Sequence, residues 1–152
     1  IYNSCGGEVN RGCVMTDETK DLQPADKCKI LVVDDEQPIR EMFKLFVETD
    51  VPGVQVELAA NGAEAVESFM DGHHAVLLMD LHMPIMDGAE AFREIEDHCH
   101  TMDWELPAII FCTAYDPPSS ANRVLLQYEN AYLLRKPVDN ATLTDMVKKA
   151  LA

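Results

Sequence analysis

The residues best suited to chemistry in this sequence are polar side chains that stand directly after short apolar runs. Asp80 follows the run Ala75 to Met79 and precedes a Pro and an Asp-Gly turn signal. Other apolar runs end in further polar residues, namely Asp34 with Asp35, Thr113 and Lys136. Short apolar runs of this kind are typical of buried strands in a parallel sheet, and ligands bind at the carboxyl edge of such a sheet. We therefore expect these side chains to share one edge.

These residue types together suit the transfer of a phosphoryl group. If the strands that end at Asp34 and Asp80 are neighbours, three carboxylates converge, and such oxygen ligands bind a hard cation such as Mg²⁺, with Mn²⁺ as the alternative. Lys136 supplies a positive charge for a phosphoryl oxygen, and the Thr113 hydroxyl supplies a hydrogen bond. A carboxylate can itself accept a phosphoryl group. Asp80 is the candidate acceptor, although an Asp after a strand also commonly caps a turn.

The rest of the sequence predicts the elements that position these residues. Five apolar runs alternate with five segments of helical periodicity, which indicates an α/β fold of (βα)5 type with right-handed crossovers and a parallel sheet covered on both faces. Met42 and Met70 are assigned to the buried faces of the first and second helices. Residues 1–26 follow neither period and are predicted to form a flexible leader, so that the folded domain spans residues 27–152.

Composition narrows the class of protein. The 152 residues suit one domain, and 12 basic against 27 acidic residues give a net charge of −15, which argues against direct binding of nucleic acid or anionic lipid. No apolar stretch is long enough to cross a bilayer. Five cysteines without a CxxC pair indicate reduced thiols and a cytoplasmic location. His73-His74 has no further ligands at metal-binding spacing and is interpreted as a solvated helix end.

Four segments together resemble the receiver domain of two-component response regulators. They are Lys29 to Glu36, Met79 to Gly88, Phe111 to Ala114, and Lys136-Pro137. The resemblance covers Lys27 to Ala152 and implies a flavodoxin-like, doubly wound parallel sheet with the strand order 2-1-3-4-5. It also assigns roles to the polar residues: Asp80 as phosphoacceptor, Asp34, Asp35, Asp80 and the backbone carbonyl of His82 as Mg²⁺ ligands, and Thr113 and Lys136 as phosphoryl-binding groups.

The resemblance further implies a conformational switch that couples Thr113 to an aromatic residue on the fifth strand. The family places that residue three positions before the Lys, whereas Tyr132 lies four positions before Lys136, with Leu133 at the expected position. One alternative is a bulge near Leu134-Arg135 that restores the register. In the other, Tyr132 faces the opposite side of the strand and Leu133 takes the switch position.

Two more positions are implied by the family to set the lifetime of the acyl phosphate. His82 lies two residues beyond the acceptor, and Tyr115 lies two residues beyond Thr113. Both side chains are bulky and stand where water must approach. We therefore expect slower self-dephosphorylation than in a receiver with small or acidic groups at these two positions.

The resemblance implies a regulatory module, not an enzyme that turns over an external substrate. Its phosphodonor would be a histidine kinase or a phosphotransfer protein. Its output would pass to a downstream protein or to an output domain absent from this sequence, and the face of the fourth helix, fifth strand and fifth helix could also pair two copies into a homodimer.

Two rival functions share parts of the pattern. A Mg²⁺-dependent phosphatase of the haloacid dehalogenase type carries its nucleophile after the first strand in a DxD motif, which the segment Asp34 to Gln37 does not match. A flavodoxin-like cofactor binder needs a phosphate loop rich in Ser, Thr and Gly, and it needs no edge with three carboxylates. Turnover of a phosphate ester would support the first rival, and a bound flavin the second.

Overall fold

The computed structural model describes residues 22–152, in which five strands alternate strictly with five helices. The strands are Asp26–Val33 (β1), Gln55–Ala59 (β2), His74–Asp80 (β3), Ala108–Thr113 (β4) and Ala131–Arg135 (β5). The helices are Gln37–Asp50 (α1), Gly62–Gly72 (α2), Gly88–Met102 (α3), Ser119–Gln127 (α4) and Asn140–Leu151 (α5). All neighbouring strands are parallel, in the order β2-β1-β3-β4-β5. The predicted flavodoxin-like fold and strand order are confirmed.

Side chains alternate along the strands and enter two separate cores. One core packs strand residues such as Ile30, Val76 and Ile110 against α1 and α5. The other packs the intervening strand residues against α2, α3 and α4. Because helices cover both faces, β3 and β4 are buried along their whole lengths. The parity of a strand position therefore decides which helices its side chain meets.

Aspartates at the starts of two helices fix the loops that lead into them. Asp87 caps α3 with a reciprocal pair: its side chain accepts from the Glu90 N–H at 2.8 Å, and the Glu90 carboxylate accepts from the Asp87 N–H at 3.3 Å. Asp139 caps α5 by accepting from the Thr142 N–H at 2.7 Å. A cap of this kind stabilises a helix by about 1 kcal/mol.

Two methionines that the helical pattern assigned to buried faces are exposed. Met42 on α1 and Met70 on α2 keep 36% and 42% of their surface in solvent. The neighbouring Phe43 and Phe69 fill the core instead, with exposures of 3% and 0%. The prediction was wrong because an apolar residue at the margin of a helical stripe follows the period without reaching the core.

The end of the predicted leader lies against the domain. The Gln23 N–H donates to the Asp103 carbonyl at 2.8 Å, the Glu105 N–H donates to the Gln23 carbonyl at 2.7 Å, and Ala25 is buried. β1 already begins at Asp26. The last part of the predicted leader therefore contacts the domain, since main-chain hydrogen bonds hold Gln23 and Asp26 without any side-chain period. Residues 1–21, which include Cys5 and Cys13, lie outside the described residues.

The two adjacent histidines are buried, so their interpretation as a solvated helix end is wrong. His73 ends α2 in the left-handed conformation, with φ of 46°, and its ring stacks on Trp104 at 4.2 Å. The His74 side chain is fully buried, and its Nε2 lies 2.7 Å from the Glu57 Oε1. The tryptophan, 31 residues further along the chain, covers this helix end, and sequence spacing gives no signal for such a contact.

Burial of His74 predicts a pH dependence of stability. Burial lowers the pKa of His74 below its ordinary value of 6.5, while the Glu57 carboxylate opposes this. Its Nδ1 is buried without a hydrogen-bond partner among the described residues, so a proton there would be unsatisfied. The unfolded chain takes up a proton near pH 6.5 that the folded state refuses, so the free energy of unfolding falls as the pH drops below that value.

We expect the variant His74→Leu to reduce this dependence. The fall in Tm between about pH 7.5 and about pH 5.5, measured by circular dichroism, should be smaller in His74→Leu than in the wild type. The exposed His100 provides the matched control, and His100→Leu should keep the wild-type fall. An unchanged fall in His74→Leu contradicts the prediction.

Candidate functional site

The structure brings the predicted polar residues together at the carboxyl edge of the sheet. Asp34 and Asp35 follow β1, Asp80 ends β3, and β1 pairs directly with β3. One carboxylate oxygen from each of these three residues lies within 4.8 Å of the other two. Asp34 and Asp80 are buried, whereas Asp35 is exposed. The cluster therefore has two carboxylates inside the protein and one at its opening.

Lys136 directly follows β5, the edge strand beyond β4, and its side chain extends to this cluster. Its Nζ lies 2.7 Å from the Asp34 Oδ2 and 3.5 Å from the Asp80 Oδ2. Its backbone N–H donates to the Thr113 carbonyl at 2.8 Å, which ties the end of β5 to the end of β4. Burial lowers the pKa of Lys136, but the hydrogen bond to Asp34 and the charge of Asp80 outweigh it and leave the pKa above its ordinary value. The side chain is therefore a permanent positive charge.

Asp80 is a carboxylate in an unfavourable position for its own charge. Burial raises its pKa, Lys136 opposes the rise, and the carboxylate of Asp34 adds to it. The His82 N–H donates to the Asp80 Oδ1 at 3.2 Å. A divalent cation among the three carboxylates would offset their repulsion, and an all-oxygen ligand set is the one that Mg²⁺ and Mn²⁺ prefer. The residues present fit such an ion.

The backbone around Asp34 is fixed by contacts that the sequence pattern did not reveal. Asp34 Oδ1 accepts from the Glu36 N–H at 2.9 Å, and the Asp34 N–H donates to the Ala59 carbonyl at 3.2 Å. The guanidinium of Arg40 donates to the Asp34 carbonyl at 2.8 Å. Arg40 is a single basic residue on α1, so neither a motif nor a period could have identified it. It holds the chain where β1 gives way to α1.

Two glycines allow the loop after Asp80 to close on its surroundings. A Cβ on Gly88 would meet the carbonyl oxygen of Asp80, and a Cβ on Gly62 would come within 2.5 Å of the Met86 carbonyl oxygen. The Gly88 N–H donates to the Leu81 carbonyl at 3.2 Å, and the Gly62 N–H donates to the Met86 carbonyl at 3.1 Å. Both ends of the loop are thus fixed by close approaches of backbone to backbone.

The side chains predicted to affect phosphate lifetime contact each other. The rings of His82 and Tyr115 meet edge to face, with centroids 5.3 Å apart and planes at 81°. Both residues are exposed. Thr113 is fully buried, and its hydroxyl oxygen accepts from the Tyr115 N–H at 3.1 Å. The two rings therefore lie together beside the ends of β3 and β4.

The sheet register places Leu133, and not Tyr132, on the same side as Thr113. The pairing of β4 with β5 runs without a shift from Ile109 opposite Ala131 to Thr113 opposite Arg135, so the described strands contain no bulge that would restore Tyr132 to the expected position. Tyr132 packs towards α1 and α5, with the Lys149 Nζ 5.4 Å from its ring centroid. Leu133 packs on the side of α2, α3 and α4. This arrangement matches the second alternative from the sequence.

A comparison with protein families agrees with this geometry. A family model described as the response regulator receiver domain matches residues 30–148, which is more than half of the chain. The chain belongs to the response regulator receiver domain family.

Individual relatives of this receiver domain are regulators of greater length. It is 36% identical over 123 residues to the regulatory protein AtoC of Escherichia coli, a match that covers 81% of this chain and 25% of AtoC. It is 37% identical over 73 residues to the transcriptional regulatory protein SrrA of Staphylococcus aureus, covering 48% of this chain and 30% of SrrA. The receiver domain thus spans only a quarter to a third of these two relatives.

Solved structures share its fold. A response regulator receiver domain protein from Clostridium thermocellum aligns with a TM-score of 0.64 and 31% identity, covering 82% of this chain and 94% of that one. A CheY-like receiver domain protein from Methanospirillum hungatei aligns with a TM-score of 0.68 and 26% identity, covering 86% and 94%.

The loop after Asp80 holds one residue in a costly conformation. Ile85 has φ of 73°, and 81% of its surface is exposed. A β-branched residue in the left-handed region costs about 1–2 kcal/mol, whereas glycine adopts it freely. The exposed side chain gains little packing in return. Its strain is therefore a local cost to the stability of the domain.

We expect Ile85→Gly to raise the free energy of unfolding by roughly 0.5–1 kcal/mol, since relief of strain exceeds the greater flexibility of glycine in the unfolded chain. Chemical denaturation measures this change. Ile85→Ala is the matched control, because it removes the same exposed side chain but keeps a Cβ in the left-handed region. An equal gain from both variants would show that strain is not the cause.

Proposed function

We propose that this receiver domain accepts a phosphoryl group on Asp80 from a phosphohistidine of a histidine kinase or phosphotransfer protein. The observation that carries the proposal is the position of the Lys136 ammonium, 2.7 Å from Asp34 and 3.5 Å from Asp80. The ammonium places a positive charge next to the Asp80 carboxylate, whose own negative charge is poorly solvated. Such a carboxylate is a suitable nucleophile, and the ammonium is a suitable partner for the incoming phosphoryl oxygens.

The carboxylate cluster supplies a cation site of matching chemistry. Asp34, Asp35 and Asp80 would hold Mg²⁺ or Mn²⁺ together with the backbone carbonyl of His82. When bound, the ion neutralises negative charge on the phosphoryl oxygens during transfer. Arg40 and the Asp34 N–H hold the β1 end of this site in place.

Asp80, Lys136 and Thr113 would each have a separate role in the transfer. A carboxylate oxygen of Asp80 forms the bond to phosphorus as the bond from phosphorus to the donor imidazole nitrogen breaks. The Lys136 ammonium, now shared between Asp34 and Asp80, turns to the added phosphoryl oxygens, and the Thr113 hydroxyl donates to one of them. The product is an acyl phosphate on the side chain of Asp80.

The output of this step is a change of surface and not turnover of an external substrate. Movement of the Thr113 hydroxyl towards the phosphoryl group would alter packing on its side of the sheet, where Leu133 packs and would act as the switch residue. The face of α4, β5 and α5 would carry the change to a downstream protein, to an output domain, or to a second copy of the chain.

We further propose a cytoplasmic location, where such kinases present their phosphohistidine. None of the helices within residues 22–152 is both long and apolar enough to cross a bilayer. The three cysteines in this part of the chain, Cys28, Cys99 and Cys112, are free thiols. Burial raises the pKa of Cys112 to about 12, which keeps that thiol protonated and unreactive beside the site.

Intact-mass spectrometry after incubation with acetyl phosphate and Mg²⁺ tests the assignment of Asp80. We expect one phosphate adduct, its loss in Asp80→Asn, and its loss when EDTA removes the metal ion. Asp116→Asn, which makes the same change at an exposed acid in the loop before α4, should keep the adduct. An adduct that persists in Asp80→Asn overturns the assignment. Hydrolysis of p-nitrophenyl phosphate without any adduct would instead support a phosphatase.

The contact between His82 and Tyr115 predicts how long the phosphate remains. The two rings limit the approach of water to the acyl phosphate, so we expect Tyr115→Ala to accelerate its loss by several-fold. The rate is followed by mass spectrometry after removal of acetyl phosphate. Tyr132→Ala removes an equal ring from the other side of the sheet and should leave the rate nearly unchanged. Loss of the wild-type adduct within seconds would contradict a shielding role.

A further inference from the structure

A cavity of about 440 Å³ lies at the amino edge of the sheet, at the opposite end of the strands from Asp80. Its walls come from the end of α3, the segment 103–107, the start of β4 and the connection from α4 to β5. Its volume falls within the range of small-ligand sites. The function proposed above makes no use of this cavity.

The inner walls of the cavity are apolar and aromatic. Phe92 and Ile109 are almost fully buried and form its depth, and the rings of Trp104 and Tyr128 line it nearer the surface. The Tyr128 ring is held edge-on against Phe92 at 5.9 Å, and the Trp104 ring is held by its stack on His73. These contacts fix two aromatic walls, so the cavity is already shaped for an apolar or aromatic group.

The electrostatics of the cavity favour a cation. Glu105 and Glu129 stand among its lining residues, and within residues 22–152 no Lys or Arg lines it. The ends of two helices also meet here, since α3 ends at Met102 and α4 ends at Gln127. The carbonyl groups at a helix C-terminus carry partial negative charge, which stabilises a nearby cation. The chain's net charge of −15 adds a long-range attraction of the same sign.

We propose that this cavity is a docking site for a protein segment in which an aromatic residue stands next to Lys or Arg. The ring would enter between Trp104 and Tyr128, and the cationic group would lie beside Glu129 and the end of α4. An acidic segment of the same size would meet repulsion from every charged group named above. The site is independent of phosphoryl transfer, although α4 is shared with the proposed output face.

The chain offers a direct probe because Trp104 is its single tryptophan. Its indole N–H gives one resolved NMR signal, which can be followed during titration of acetyl-Phe-Lys-amide and of acetyl-Phe-Glu-amide into the protein. We expect the Lys peptide to shift this signal saturably, and the Glu peptide to bind at least about fivefold more weakly, a difference of roughly 1 kcal/mol. No shift with either peptide, or equal affinity for both, overturns the proposal.

Two matched variants separate the local charge from the net charge of the protein. Glu129→Gln removes an acid that lines the cavity, whereas Glu67→Gln removes an exposed acid on α2 and changes the net charge equally. We expect Glu129→Gln to reduce the preference for the Lys peptide by at least half and Glu67→Gln to leave it unchanged. An equal reduction in both variants would mean that overall charge, and not this cavity, selects the peptide.

Discussion

The organisation of the site depends on the need to pair two carboxylates buried at one edge of the sheet. Asp34 has 1% of its surface exposed and Asp80 has 6%. A buried carboxylate without a partner is strongly destabilising, and here the compensating charge comes from Lys136 at the end of β5. Asp34 and Lys136 are 102 residues apart in sequence. Because all five strands are parallel, the ends of β1, β3 and β5 lie at one edge of the sheet, where the Lys136 side chain reaches both carboxylates. The site therefore depends on the parallel arrangement of strands that are far apart in sequence.

Burial of the central strands on both faces also makes the position of each residue along its strand important away from the charged site. Alternate side chains of each central strand enter two different cores. One core packs against α1 and α5, and the other packs against α2, α3 and α4. A residue that slips by one position would therefore meet α1 and α5 instead of α2, α3 and α4. Tyr132 is on the first side and Leu133 on the second, because the register between β4 and β5 is continuous. An aliphatic side chain thus occupies the place where the family's pattern expects an aromatic ring.

The features that could be predicted from the sequence are those that repeat along it. Apolar runs and helical periods located the elements, and polar residues at strand ends located Asp80, Thr113 and Lys136 before any contact was known. The contacts that escaped prediction connect single residues across long distances in the chain. Arg40 holds Asp34 through one hydrogen bond to a carbonyl, and Trp104 covers His73. Such contacts have no period, and each is decided by the packing of the completed fold.

The direction of the helices gives the two edges of the sheet opposite electrostatic character. In an alternating parallel fold the helices run back against the strands, so helix N-termini lie at the carboxyl edge and helix C-termini at the amino edge. The first edge is suited to anions, and the three carboxylates placed there have the ligand atoms to hold a divalent cation. The second edge is suited to cations, and the acids around its cavity reinforce that preference. One backbone arrangement thus gives the two ends of the strands opposite electrostatic preferences, which the proposed phosphoryl transfer at one end and the proposed basic segment at the other would use.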